Sequence, residues 1–392
     1  IHATGTDKGD LLEIISRHGS VTLNDDTTLA AANDIRIYAD QKLTNNMKRE
    51  SEQGGLYTKN GDIWLITNTG KIENNQMVLT ANGNIYLQSL LGDIDNNGEI
   101  FSGNGNAALD TRAGNIDNSA AIEANNVSIV ANAGSLDNGG VVTARTGEAE
   151  LKATHDITNR SKVSAKTAIS MDSEEGNIAN YADLTAEQED VILRAVNGSV
   201  QSIGAINAGQ EVSFTAKSLA SNKGFVEAGS SVDFSADKVI NVGNVNAAEV
   251  VKFAGNTYVY NVGNITAGKA LSFAADQGFI NSIGTLTAQN NLQLSAQENI
   301  TSMGDLQSAN GMLSLSSTNG SISSIGSLTA AKDVAVKAAG DITTAEGTIS
   351  GENVTLTSTE GSIVNNNAIE AQQELTMDAY NNLTSIGALK AE

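Results

Sequence analysis

The 392-residue chain has no cysteine, no proline, a single tryptophan and 4% aromatic residues, and its 45 acidic side chains outnumber 23 Lys and Arg. Without Cys there is no disulfide framework and no thiolate chemistry, although that absence does not name a compartment. A net charge of -22 argues against nucleic acid and anionic membrane as partners, since both require Lys/Arg faces. No apolar run approaches the roughly 18 residues of a membrane span, so no membrane insertion by this segment is expected. The start shows no charged-then-apolar leader, which reads as a piece of a longer chain. With 40% hydrophobic residues the chain can build a core, and wholesale disorder is excluded.

What the sequence has in abundance is itself. Apolar pairs separated by one residue, as in Val212-Ser213-Phe214, begin at Ile63, Ile85, Ala107, Val127, Ala149, Ile169, Val191 and Val212. They continue at Val232, Val251, Leu271, Leu292, Leu313, Val334, Val354 and Leu375, always 19 to 22 residues apart. Glycines at 204, 224, 243, 263, 284, 304, 326, 347 and 387 keep step, each followed two residues on by an apolar residue. A unit therefore holds three short strands of period two and three turns, and no stripe of period 3.6 competes. Strands this short at this period fit one coil of a parallel β-helix, in which inward residues stack over inward residues. A single coil buries too little apolar surface to offset the entropy of ordering about twenty residues, so the pattern has to recur. Interior strands paired on both sides need every N–H, which accounts for the absent proline. Gly and Asn at the corners are expected to supply positive-φ turns. Asn-bearing corners such as Asp95-Asn96-Asn97, Asp117-Asn118 and Asp137-Asn138 are expected to stack in ladders.

Residues 61 to 197 favour G-D-I-D-N corners, whereas 198 to 392 favour S-I-G-x-L around Ile203, Ile283, Ile325 and Ile386. These are read as two dialects of one rod. Residues 1 to 60 are less regular: the step from Ile35 to Ile63 is 28 residues. The surplus is placed in a projecting loop near 41 to 60, polar, charged and containing Gly. The motif persists to the last residue with no polar cap, which again reads as a fragment of a longer rod.

Phrases such as GNIDNSAAIEANNVSIVANAGSLDNGG (114 to 140) and GSLTAAKDVAVKAAGDITT (326 to 344) resemble the filamentous haemagglutinin-type repeats of large Gram-negative exoproteins exported by two-partner secretion. The resemblance covers about 60 to 392 and implies localisation at the outer cell surface, a role in cell contact and an outer-membrane secretion partner. Family members include adhesins and effectors of contact-dependent growth inhibition, which present a receptor-binding region and deliver a toxin. Together with the chirality of parallel connections, it sets the expected fold: an all-β, right-handed parallel β-helix with coils of about 20 residues and three short strands.

Parallel β-helices also include glycan-cleaving enzymes, whose sites need paired acids on one face. Here the best cluster, Asp172, Glu174 and Glu175 with Glu187, Glu189 and Asp190, falls at two corners and reads as a solvated edge, with a weak Ca2+ site as the other reading. His2, His18 and His155 are too scattered for a metal site or triad. SGNGNA (102 to 107) lacks the Lys and following helix of a phosphate loop and reads as a turn. No catalytic residue, cofactor or metal ligand is assigned. Two outward patches instead place aromatics where Ser, Thr or Asn usually sit: Trp64 and Tyr86, near Tyr57, and Ile240, Tyr258, Tyr260 and Phe279. Such patches stabilise the sheet by stacking or contact a partner, a receptor or glycan on a target cell.

Overall fold

Strands of three to five residues cannot stand alone, and the chain resolves this by winding. The computed structural model describes residues 2–3, 11–25, 28–48 and 55–391; among these every regular element is a strand and none is a helix. One coil carries a long strand such as Ile63–Thr67 and two short ones, Ile72–Asn74 and Val78–Thr80. The next coil repeats them as Ile85–Ser89, Ile94–Asn96 and Ile100–Ser102, each parallel to its counterpart with Ile63 on Ile85, Ile72 on Ile94 and Val78 on Ile100. These define a long face, an asparagine face and a short face. The fold is a parallel β-solenoid, as the period requires.

Contacts divide the chain into two compact units, Ile1–Ala208 and Gly209–Glu392. Both are built from the same coil. In the first unit the surplus of the early coil is confined further than the sequence suggested. Leu43–Asn45 and Leu56–Thr58 are regular strands, pairing with Ile72–Asn74 and Val78–Thr80, and Met47 is fully buried. The insertion thus lies between Asn45 and Leu56, and residues 49–54 of the expected loop lie outside the described residues.

The interior of the first unit corrects the expectation for Asn. Asn96, Asn118 and Asn138 are not corner residues: they end strands of the asparagine face, point inward and are 0% exposed. Each side-chain amide donates to the carbonyl of the next, from Asn74 to Asn96 at 2.7 Å, Asn96 to Asn118 at 2.6 Å and Asn118 to Asn138 at 2.7 Å. The run extends from Asn45 through Asn159 and Asn180 to the Ser202 hydroxyl. An amide is both donor and acceptor, so an uninterrupted column satisfies every buried member except at its ends. A single buried Asn would be a liability.

In the second unit the same column is shorter, running Asn222, Asn241, Asn261 and Ser282. The Ser302 and Ser324 hydroxyls below it are buried without a partner. Here the long face carries a phenylalanine stack instead. Phe214, Phe234, Phe253 and Phe273 are buried with successive ring centroids 4.3, 4.8 and 4.9 Å apart. Offset stacking of this kind adds to the burial of the rings.

Glycine also plays a different part from the one expected. Among the described residues only Gly55, Gly284, Gly304, Gly326 and Gly347, with Glu346, have positive φ, and no Asn does. Elsewhere the need is for space: a Cβ on Gly83 would overlap the carbonyl oxygen of Gly61, and one on Gly105 that of Gly83. Coils separated by about 4.8 Å leave no room at tight corners. Corner N–H groups are also used, as in Asn97 to the Asn74 carbonyl at 2.7 Å and Leu90 to that of Thr67 at 3.0 Å. Proline is thereby unwelcome at these corners as well as in strands.

Replacing Asn118 by Ala leaves the Asn96 amide and the Asn138 carbonyl unpaired in the interior, and is expected to destabilise the fold by about 2–4 kcal/mol. Phe234→Ala removes a ring stacked on both sides and is expected to cost about 3–5 kcal/mol. Denaturant unfolding followed by circular dichroism checks both; unchanged midpoints would mean that neither column stabilises its unit.

Candidate contact surfaces

Parity along each strand decides which side chains face out, and register decides which of them meet. On the long face of the first unit Trp64 sits directly over Tyr86. Their rings are 5.7 Å apart and 13° from parallel. One coil earlier Arg36 pairs with Trp64, its guanidinium carbon 4.9 Å from the indole centroid. Both aromatics are half-buried. Burial, with a smaller contribution from the charge of Asp62, pushes the Tyr86 phenol up. The sequence placed Tyr57 near this pair, but Tyr57 lies on the short face between Ala30 and Leu79. One column further along the same strands run Ile66, Gln88 and Asp110, which the sequence reading passed over although their parity marks them as outward.

In the second unit the four residues singled out from the sequence occupy two columns of the asparagine face. Lys238, Tyr258 and Phe279 form one, and Ile240, Tyr260 and Asn281 the other. Tyr258 and Phe279 stack at 5.4 Å and 19°. Phe279 is 39% exposed, and the other three are half-buried. A third column was missed: the corner residues Val242, Val262, Ile283, Met303 and Ile325 follow one another along the coils, with Ile283 paired to Met303 and Met303 to Ile325. This is the Ile of the S-I-G-x-L phrase, turned outward, while Leu286, Leu306 and Leu328 two residues past each glycine are fully buried. In a chain of charge -22, residues 239 to 247, 258 to 267 and 279 to 288 contain no charged side chain.

The charged groups are dispersed. Asp172 bonds Arg194, with Nη2 at 2.6 Å, Glu187 meets Lys166 at 2.5 Å and Glu175 lies 3.7 Å from His155. His18 and His155 belong to separate coils, and no group of three metal-ligating side chains occurs among the described residues. The SGNGNA stretch is a turn, as read: the Ser102 hydroxyl accepts from the Gly105 N–H at 2.9 Å and donates to the Gly83 carbonyl at 2.7 Å. One acidic column does form on the outward side of the asparagine face, where Glu73, Asp95, Asp117 and Asp137 pair in register. Lys71 bridges Glu73 at 2.5 Å and Asp95 at 2.9 Å, and Arg160 pairs with Asp137. Asp117 is left in the middle. Burial, then the charges of Asp137 and Asp95, push its carboxyl up against the weaker pull of Arg160.

The geometry defines a repeat protein of the parallel β-solenoid class, with laterally displayed aromatic columns and dispersed acids. Haemagglutinin repeat matches cover residues 16–76, 74–120, 91–170, 175–272, 242–320, 301–376 and 355–392. The chain belongs to the haemagglutinin repeat family, a structural, adhesin-type family of secreted exoproteins. Neither the curated proteins nor the solved structures give a match.

Because the folded-state pKa of Asp117 is raised, its ionised form opposes folding above that value, and the penalty is relieved as pH falls. Asp117→Asn is therefore expected to raise the thermal midpoint at pH 7, with the gain fading below the unfolded pKa of about 3.9. Scans at pH 7 and pH 3 test this; an equal effect at both would remove the cost of the partly desolvated, repelled carboxylate as the cause.

Proposed function

We propose that this segment is a non-enzymatic contact region of an exoprotein displayed on the outer surface of a Gram-negative bacterium and exported through an outer-membrane partner. The observation that carries the reading is the sparsely charged surface of the second unit, where Tyr258, Tyr260, Phe279 and Ile240, with Lys238 at one end of their column, lie beside the corner column of Val242, Ile283 and Met303. Contiguous exposed apolar columns on an otherwise acidic protein are what a surface receptor would need for docking. Haemagglutinin repeat membership supports an adhesin-like role. The one column of stacked acids, Glu73, Asp95, Asp117 and Asp137, is tied at its ends to Lys71 and Arg160, and the membership of a structural repeat family supports a non-enzymatic role.

Inward residues do not enter this surface, so it can be altered without touching the core. The triple variant Tyr258→Ser, Tyr260→Ser, Phe279→Ser is expected to keep the circular dichroism spectrum of the parent and to lose at least about tenfold in attachment. The labelled protein is applied to two panels, live Gram-negative bacteria and epithelial cells. Saturable binding to bacteria favours a receptor-binding region of contact-dependent growth inhibition, and binding to epithelial cells favours adhesion. Absence of saturable binding to either panel would overturn the contact role for this segment.

A further inference from the structure

The chain has no Cys, so its sulfur chemistry falls on six methionines. Their settings differ. Met47 and Met171 are fully buried, Met77 and Met377 are half-buried, and Met303 and Met312 are 37% and 40% exposed. Access governs how readily a sulfur meets a dissolved oxidant, so the last two are the first targets.

These two occupy different ground. Met312 lies at a polar corner before a long-face strand, where its N–H donates to Asn291 Oδ1 at 3.1 Å and Asp333 holds the equivalent place one coil on. Met303 ends the strand Ile300–Met303 on the asparagine face, and register sets Ile283 before it and Ile325 after it. Thr301, two residues earlier on the same side of that strand, continues the column of Tyr260 and Asn281. The Met303 thioether is thus the middle of the apolar corner column and adjoins the aromatic face. Residues 279 to 288, 299 to 304 and 306 to 331 contain no charged side chain. The intervening Asp305 is an acceptor, already engaged by the Ser327 N–H at 2.8 Å. Nor has the main chain at these corners a donor to spare. The Gly284 N–H bonds the Met303 carbonyl at 2.9 Å, the Gly304 N–H that of Ile325 at 2.8 Å and the Gly326 N–H that of Ala345 at 2.9 Å.

We propose that Met303 is an oxidation site, modified by hydrogen peroxide, through which attachment is switched off. The sulfur gives an electron pair to one peroxide oxygen, the O–O bond breaks, an S–O bond forms, and the other oxygen leaves as water. A flexible, polarisable thioether suited to packing beneath a partner becomes a polar sulfoxide. On the free surface water solvates the new oxygen, so the fold is untouched. Under a partner that oxygen is drawn out of water among Ile283, Ile325 and N–H groups already spent, and a buried acceptor without a donor is costly. The proposal rests on the contact role proposed above and supplies its regulation.

The whole protein is treated with graded hydrogen peroxide, and each methionine is followed by peptide mass spectrometry. Met303 and Met312 are expected to gain oxygen before Met47 and Met171, at an unchanged circular dichroism spectrum. Attachment to the cell panel that binds untreated protein is expected to fall at least about tenfold. Methionine sulfoxide reductases with dithiothreitol are expected to restore it, the thiols becoming a disulfide and the sulfoxide oxygen leaving as water. Each variant is compared with itself, treated against untreated: Met312→Leu is expected to lose attachment as the parent does, and Met303→Leu to keep whatever level it starts from. Full attachment with Met303 oxidised, a Met303 that stays reduced while the fold is intact, or a Met312→Leu variant indifferent to peroxide would overturn the proposal. Untreated protein that attaches to neither panel would remove the contact role and this regulation with it; untreated and oxidised protein attaching equally would leave the contact role and remove the regulation alone.

Discussion

Everything in this protein depends on one constraint, that within each unit a coil pairs in register with the next at a spacing of about 4.8 Å. A parallel ladder places equivalent residues directly over one another, and a slip of one residue would turn every inward side chain out. The chain meets this by making equivalent positions chemically alike. Amides stack on amides from Asn45 to Asn180, phenylalanines on phenylalanines from Phe214 to Phe273, and glycines on glycines where Gly61, Gly83 and Gly105 touch. None of these columns works as a single residue. An isolated buried Asn has no partner and an isolated corner glycine has nothing to make room for, so repetition is a condition of each interaction as well as of the fold.

The same constraint acts outside the core, where it is less benign. Register that stacks Trp64 on Tyr86 also stacks Glu73, Asp95, Asp117 and Asp137. Like charges at successive coils repel, and the chain answers with Lys42 and Lys71 at one end and Arg160 at the other. Glu73 shows the balance: burial pushes its carboxyl up, but hydrogen bonds from Lys42 and Lys71 outweigh this and hold it below its usual value. Asp117 lacks a direct cation and is pushed the other way. Position along a column therefore decides whether an acid stabilises or strains the coil.

The fold was largely legible because it is written as a period. All sixteen apolar pairs from Ile63 to Leu375 lie on strands of the long face. What escaped was whatever parity and composition described differently. In Ile116-Asp117-Asn118 the alternation puts Asn118 inward with Ile116, yet Asn is so common in turns that its composition overrode its parity. The second-unit patch was found but drawn as one surface, because sequence separation cannot distinguish the column of Tyr258 from that of Tyr260 until the register is known. The depression lined by Ile66, Gln88, Asp110 and Arg112 had no signal at all, because its lining comes from four coils.

Alternation also separates the two tasks of the chain. Inward residues fix register and stability, whereas outward residues on the same strands are constrained only by their immediate neighbours on the coils above and below. A recognition surface can thus be written into the odd positions of a few adjacent coils while the even positions go on holding the ladder. That is how a chain whose inward columns hold the ladder can carry a Trp64–Tyr86 stack on its first unit and a sparsely charged aromatic face on its second. Both surfaces run along the stacking direction, because neighbouring columns spaced by the ladder, and not consecutive residues of one strand, bring these side chains together.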